Sequence, residues 1–170
     1  LPGTDKLYRL SFTSAMEALS LDFEYDGDKV SKMSRIAWDN DWMTGEFVKL
    51  SSMEYNYIYN SDGDLLKVTK GEAGSAASDY ITDIVYESGN IKSYKIDGVE
   101  YAPKYLEKNG EMVRVDYLDA DLSGWEYDFT NATPNPVYMP ELPAVVPGDV
   151  AGYGLNNLYN RYLFGELKDG

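Results

Sequence analysis

A unit that recurs along this chain constrains its fold more than any other feature: an aromatic strand, a short acidic or amide turn with glycine, then an aliphatic strand carrying Lys or Arg. Side chains on a strand point alternately to two faces, so apolar residues at every second position call for a half-buried strand with a pairing neighbour. The opening segment sets Tyr8, Leu10 and Phe12 against Arg9, Ser11 and Thr13. Leu19, Leu21, Phe23 and Tyr25 then share a face opposite Ser20, Asp22 and Glu24, and Asp26-Gly27-Asp28 supplies a turn that tolerates positive φ. Val30 to Ile36 returns without strict alternation, which predicts a bulge or register shift there.

The same logic predicts a hairpin from Tyr55, Tyr57 and Tyr59 through Asn60-Ser61-Asp62-Gly63-Asp64 into Leu65 to Val68. It predicts another from Ile84 to Tyr86 through Glu87-Ser88-Gly89-Asn90 into Ile91 to Ile96, with Asp97-Gly98 turning at once into Val99 to Tyr101. Tyr105-Leu106, the turn Glu107 to Gly110 and Met112 to Tyr117 make a further hairpin, and Trp125, Tyr127 and Phe129 one more strand. The units recur at unequal intervals, which favours a meander over a solenoid or propeller. Gly71 to Ser78, rich in glycine, alanine and serine, reads as a mobile loop.

From Thr130 the pattern changes. Pro134, Pro136, Pro140, Pro143 and Pro147 cannot donate to a ladder and predict an extended wrap, while Leu155, Leu158, Tyr159, Tyr162 and Leu163 recur at helical spacing. The expectation is a single β domain over 1–170, mainly β. Residues 1–129 form a curved antiparallel meander of about eight to ten strands, a half-barrel or open barrel. Residues 130–170 add the proline-rich wrap and one short helix on a face of the sheet.

Composition narrows the chemistry. A formal charge of −14 with no basic run argues against nucleic acid and anionic membranes, whose phosphates need clustered Lys and Arg. The chain has neither His nor Cys, which removes His-dependent triads, Cys–His dyads, disulfides and the usual zinc sites, and no cofactor is expected. No apolar run approaches the roughly 20 residues of a membrane helix. With 29 acidic residues, a carboxylate pair of the glycosidase type cannot be singled out by pattern. Asn60 to Asp64 and Asp39-Asn40-Asp41 imitate calcium loops but lack the alternating ligands and closing Glu, and turn chemistry explains them.

The most unusual local feature is Trp38-Asp39-Asn40-Asp41-Trp42, two indoles bracketing three polar side chains in a predicted turn. Indole faces stack on the C–H surfaces of sugar rings while carboxylates and amides bond hydroxyls. Trp38, Asp39, Asp41 and Trp42 are therefore the candidate ligand-binding residues, with capping of the core by one or both indoles as the alternative.

Leu21-Asp22-Phe23-Glu24-Tyr25-Asp26-Gly27-Asp28-Lys29-Val30-Ser31-Lys32, echoed in Tyr57 to Lys67, resembles the small secreted lipoproteins of unknown function from Bacteroides and relatives. Tyr127-Asp128-Phe129-Thr130-Asn131 and Tyr153-Gly154-Leu155-Asn156-Asn157-Leu158 are similar to later motifs of that group, and the Tyr-Asp-Gly-Leu units to the YD hairpins of bacterial surface toxins. The resemblance implies a porin-like or half-barrel antiparallel fold and an exported, envelope-associated address, periplasmic or at the outer membrane. It also implies a lipid anchor upstream of Leu1-Pro2-Gly3-Thr4, an opening without Met that reads as a trimmed start. It implies no catalytic residues. The expected function is a non-catalytic binding module for glycan or peptide, or for an envelope protein. The alternatives are a carboxylate-dependent glycoside hydrolase and a structural subunit of an envelope complex.

Overall fold

The computed structural model describes residues 6 and 8–108, and beyond them the paired segments 111–114, 125–128, 133–134, 162–163 and 166–169. Eight strands form one open sheet in sequence order: β1 (Arg9–Thr13), β2 (Glu17–Asp26), β3 (Lys29–Asp41), β4 (Glu46–Tyr59), β5 (Leu65–Glu72), β6 (Ser78–Glu87), β7 (Asn90–Ile96) and β8 (Val99–Tyr101). The sheet does not close, because β1 and β8 are its two edges. The mainly β antiparallel meander expected from the sequence is therefore the architecture observed.

The turns carry the backbone geometry their residues predict. Gly27 takes φ of 56°, and the pairs Ser88-Gly89 and Asp97-Gly98 are both positive in φ, the mirror-image turn whose twist matches that of paired strands. In the longer β4–β5 turn, the Asn60 side-chain oxygen accepts from the amides of Asp62 and Asp64, each at 2.9 Å. This oxygen-rich sequence thus spends its Asn60 acceptor on its own backbone.

One face of the sheet is the core. On β2 to β5 it is built from Leu19, Leu21, Phe23, Val30, Met33, Tyr55, Tyr57, Leu65 and Val68, all buried, and Tyr80, Ile81 and Tyr94 of the same unit are buried too. The returning strands keep this face by adding a residue. Val30 pairs with Tyr25 and Lys32 with Glu24, so Ser31 is extra, and Val30 and Met33 both stay buried despite the two residues between them. Leu66 does the same in β5, where Leu65 and Val68 are buried and Leu66 is exposed. Each extra residue is a β-bulge, which bends its strand and raises the local twist. The shift expected in Val30 to Ile36 is the first of them.

Tyrosines contribute more to this core than a half-wet face requires. The Tyr55 and Tyr80 rings meet edge to face at 5.7 Å, with the Lys70 ammonium 4.6 Å from the Tyr80 ring centre. The Tyr59 hydroxyl donates to the Val30 carbonyl at 2.8 Å, tying β4 to β3.

Compactness divides the chain into two units. One takes Leu7–Ile84 with Tyr94–Glu100, and the other Leu1–Lys6, Val85–Ser93 and Tyr101–Gly170. Within the second, β9 (Tyr105–Lys108) pairs with β10 (Glu111–Arg114). Two further pairings there join β11 (Trp125–Asp128) to β14 (Glu166–Asp169) and β12 (Thr133–Pro134) to β13 (Tyr162–Leu163). Also in this unit, the Tyr105 hydroxyl donates to the Ile91 carbonyl at 3.0 Å.

Two expectations need correction. Tyr162–Leu163, the described end of the predicted helix, is a strand facing Thr133–Pro134. Three- and four-residue spacing of Tyr and Leu does not exclude a strand when a partner segment is at hand. The rest of that helix, and the prolines of the wrap other than Pro134, lie outside the described residues. Gly71 to Ser78 is also no loose loop, since Gly71 and Glu72 finish β5, and Ser78 starts β6. Ala73 N–H donates to the Ser52 carbonyl and Ser75 N–H to the Glu72 carbonyl, both at 2.9 Å.

Its small residues have a packing cause, because a Cβ on Gly71 would lie 3.0 Å from the Ala77 Cα and 3.1 Å from the Ala76 carbonyl oxygen. The neighbours are backbone and cannot yield without moving the turn. Gly71→Ala is predicted to destabilise the fold by about 1–3 kcal/mol, read as a lower urea midpoint at unchanged slope.

Candidate functional site

Opposite the core lies a polar face whose chemistry is ordered by register. Arg9, Asp22, Ser34 and Glu54 stand side by side from β1 to β4. The neighbouring row runs Glu24, Lys32, Asn56, Thr69 and Asp79 from β2 to β6. Opposite charges meet in and between these rows. Arg9 grips Asp22 through Nε and Nη2, the latter at 2.7 Å; Lys32 lies 2.7 Å from Glu54 and 3.6 Å from Glu24; and Lys67 lies 2.8 Å from Asp79.

Toward the β3–β4 turn the charges give way. The next rows are Ser11, Ser20, Ile36 and Ser52, then Thr13, Ala18, Trp38 and Lys49. A groove of about 240 Å³ opens here in the unit that holds β1 to β5. Arg9, Ser11, Thr13, Ser20, Ile36 and Trp38 are among its lining residues. The half-buried Trp38 stands in its lining beside Phe12 and Ile36. Ser20 is 5% exposed, and its Oγ has no hydrogen-bond partner among the described residues.

The segment named from sequence is not a turn over its length. Trp38 to Asp41 belong to β3, and the turn is Trp42 to Gly45, with Gly45 at φ of 72°. Strand geometry therefore separates the four candidates. Trp38 faces the groove, whereas Asp39 is exposed on the opposite face, in register with Glu17 and Val48. Asp41 serves the turn: its Oδ1 accepts from the Met43 amide at 2.9 Å, and its carbonyl from the Gly45 amide at 2.7 Å. Trp42 stands 85% exposed at the tip beside Met43, and Phe47, Val48 and Leu50 of the same hairpin are exposed too. Asn40 pins the β1–β2 turn, donating from Nδ2 to the Ala15 carbonyl at 2.7 Å and from its amide to the Met16 carbonyl at 2.8 Å.

Trp38 is thus the one candidate that lines the groove, and Ser20 and Arg9 are further lining residues that sequence reasoning missed. Their signal was present as the polar phase of β1 and β2, but only pairing register sets them beside Trp38. Asp22 raises the Arg9 pKa above its ordinary value, by hydrogen bonding first and charge second. Among the described residues no group of acidic side chains is arranged to hold a metal ion, and no helix is long and apolar enough to cross a membrane. No family model, curated protein or solved structure matches the chain.

The charged rows give a pH prediction. The Lys32 pKa is raised, first by its hydrogen bond to Glu54, against an opposing effect of burial. A folded pKa above the unfolded one means that the pair's contribution is complete below the ordinary lysine pKa of 10.5 and is lost as pH climbs through the higher folded value. Lys32→Met should therefore cost a few tenths to about 1 kcal/mol near pH 8. Urea unfolding should show that difference shrinking as the pH rises past 10.5.

Proposed function

We propose that this chain is an exported cell-envelope protein acting as a non-catalytic binding module, with the groove beside Trp38 as its ligand surface. The observation that carries the reading is the meeting of an indole wall with hydroxyl groups in one concavity, the arrangement that holds a small ligand by stacking and a few directed hydrogen bonds. The envelope address, with a lipid anchor upstream, rests on the resemblance of the Leu21 to Lys32 and Tyr57 to Lys67 units to the Bacteroides lipoproteins. Glycan and peptide are both ligand classes such a surface serves.

A non-catalytic role is supported by how the nearby carboxylates are used. Glycoside hydrolysis needs two carboxyl groups flanking one bond, one of them free to transfer a proton. The groove lining holds no carboxylate, and Asp22 beside it has both oxygens engaged by Arg9. A second reading, assembly into an envelope complex, is favoured by the exposed apolar side chains of Trp42, Met43, Phe47, Val48 and Leu50 on one hairpin.

A glycan and peptide array probed with the wild-type protein and two variants separates these readings. Trp38→Ala should lose about 5- to 150-fold in affinity for any ligand retained, since stacking on an indole contributes on the order of 1–3 kcal/mol. Trp42→Ala should bind as wild type. Ligand binding indifferent to Trp38→Ala would overturn the groove, and dependence on Trp42 alone would favour the hairpin tip.

A further inference from the structure

Resting on the groove as the binding surface, we infer that its ligand is a neutral saccharide, and that the Ser20 hydroxyl is the group that reads it. Ser20 is the starting point because its side chain is unsatisfied. Buried hydroxyls normally find a partner, and one without a partner loses its bonds to water with nothing in return. Ser20 lines the groove on the same face as Trp38, since Ala18 opposite Trp38 lies two residues before it, and its Oγ is buried and lacks a partner among the described residues. Rotation about χ1 would turn this hydroxyl toward the groove, where a ligand hydroxyl seated against Trp38 would satisfy it.

Charge then selects the ligand. Among the described residues Arg9 is the only charged one lining the groove, and Asp22 neutralises it through a two-bond clamp. An acidic sugar would have to compete with Asp22 for the guanidinium while approaching a chain of net charge −14. A cationic ligand would find the same carboxylate already engaged. What remains uncompensated is uncharged: hydroxyls of Ser11, Thr13 and Ser20 beside an indole face.

Size and backbone disfavour a peptide. At about 240 Å³ the groove is smaller than the 300–1,000 Å³ usual for drug-sized ligands, and suits one ring of a longer chain. Its floor strand β2 is paired with β1 on one side and β3 on the other, so an extended peptide finds no backbone ladder in the floor. A sugar needs none.

Ser20→Ala makes the test specific. Removing an unsatisfied hydroxyl should leave thermal stability unchanged or raise it, whereas removal of a structural hydrogen bond would lower it. The purified protein, Trp38→Ala and Ser20→Ala are titrated by calorimetry against neutral glucans, mannans and galactans, against polygalacturonate and alginate, and against peptides from the array. The expected result is binding to a neutral polymer that falls about tenfold in Ser20→Ala, with no loss of melting temperature, and further in Trp38→Ala. Trp38-dependent binding of an acidic polymer or a peptide would overturn the neutral-sugar assignment while leaving the groove as the site. Neutral-sugar binding undiminished in Ser20→Ala would overturn the role of Ser20, and the absence of Trp38-dependent binding in every class would overturn both the assignment and the site.

Discussion

A strand residue can point only to one of two faces, and a slip of one residue exchanges them for everything that follows. This sheet depends on holding that division across successive hairpins while bending. Ser31 and Leu66 are the extra residues that reconcile the two demands: they let Val30 with Met33, and Leu65 with Val68, stay on the core face across a bulge. Without such insertions, a strand leaving its turn in phase with the core would keep strict alternation and lose the local bend. Ile91 and Tyr94 in β7, both buried with two residues between them, follow the same spacing.

The division of faces also creates the candidate site. Because the core takes the aromatic phase, the opposite phase is left with paired charges on one side and hydroxyls on the other, and the groove lies where the second begins. Arg9 and Asp22 sit at that boundary, each neutralising the other. Trp38 enters the groove because it keeps the phase of Ser34 and Ile36 along β3, opposite Ala18 of β2; the break in β3–β4 register beside it, with Leu50 extra, changes the phase of β4 alone. The same strand that presents Trp38 to the groove turns Asp39 to the other face and leaves Trp42 at an exposed tip. Two indoles four positions apart thus acquire separate roles.

Much of the fold was legible because alternation and turn chemistry are local. Tyr55, Tyr57 and Tyr59 announced a strand, and Gly27, Ser88-Gly89 and Asp97-Gly98 announced turns that all appear. The Gly71 to Ser78 segment was misread because small residues signal looseness in composition, whereas here they allow backbone atoms of two strands to approach closely. The turn after Trp38 was placed too early because Asp and Asn favour turns only when no neighbouring strand competes, and Asp39 and Asn40 are paired on both sides. Within the site, Trp38 was legible as an unusual residue. Ser20 and Arg9 were not, because what matters about them is adjacency across strands, which no local pattern encodes.

The central claim is that pleat geometry assigns ligand contact to Trp38 and withholds it from Trp42. It is tested most directly by following the indole N–H resonances of the three tryptophans in a ¹H–¹⁵N spectrum while a neutral oligosaccharide is titrated in. The account predicts a saturable shift of the Trp38 resonance with that of Trp42 unmoved. A shift of Trp42 without Trp38, or equal shifts of both, would contradict it.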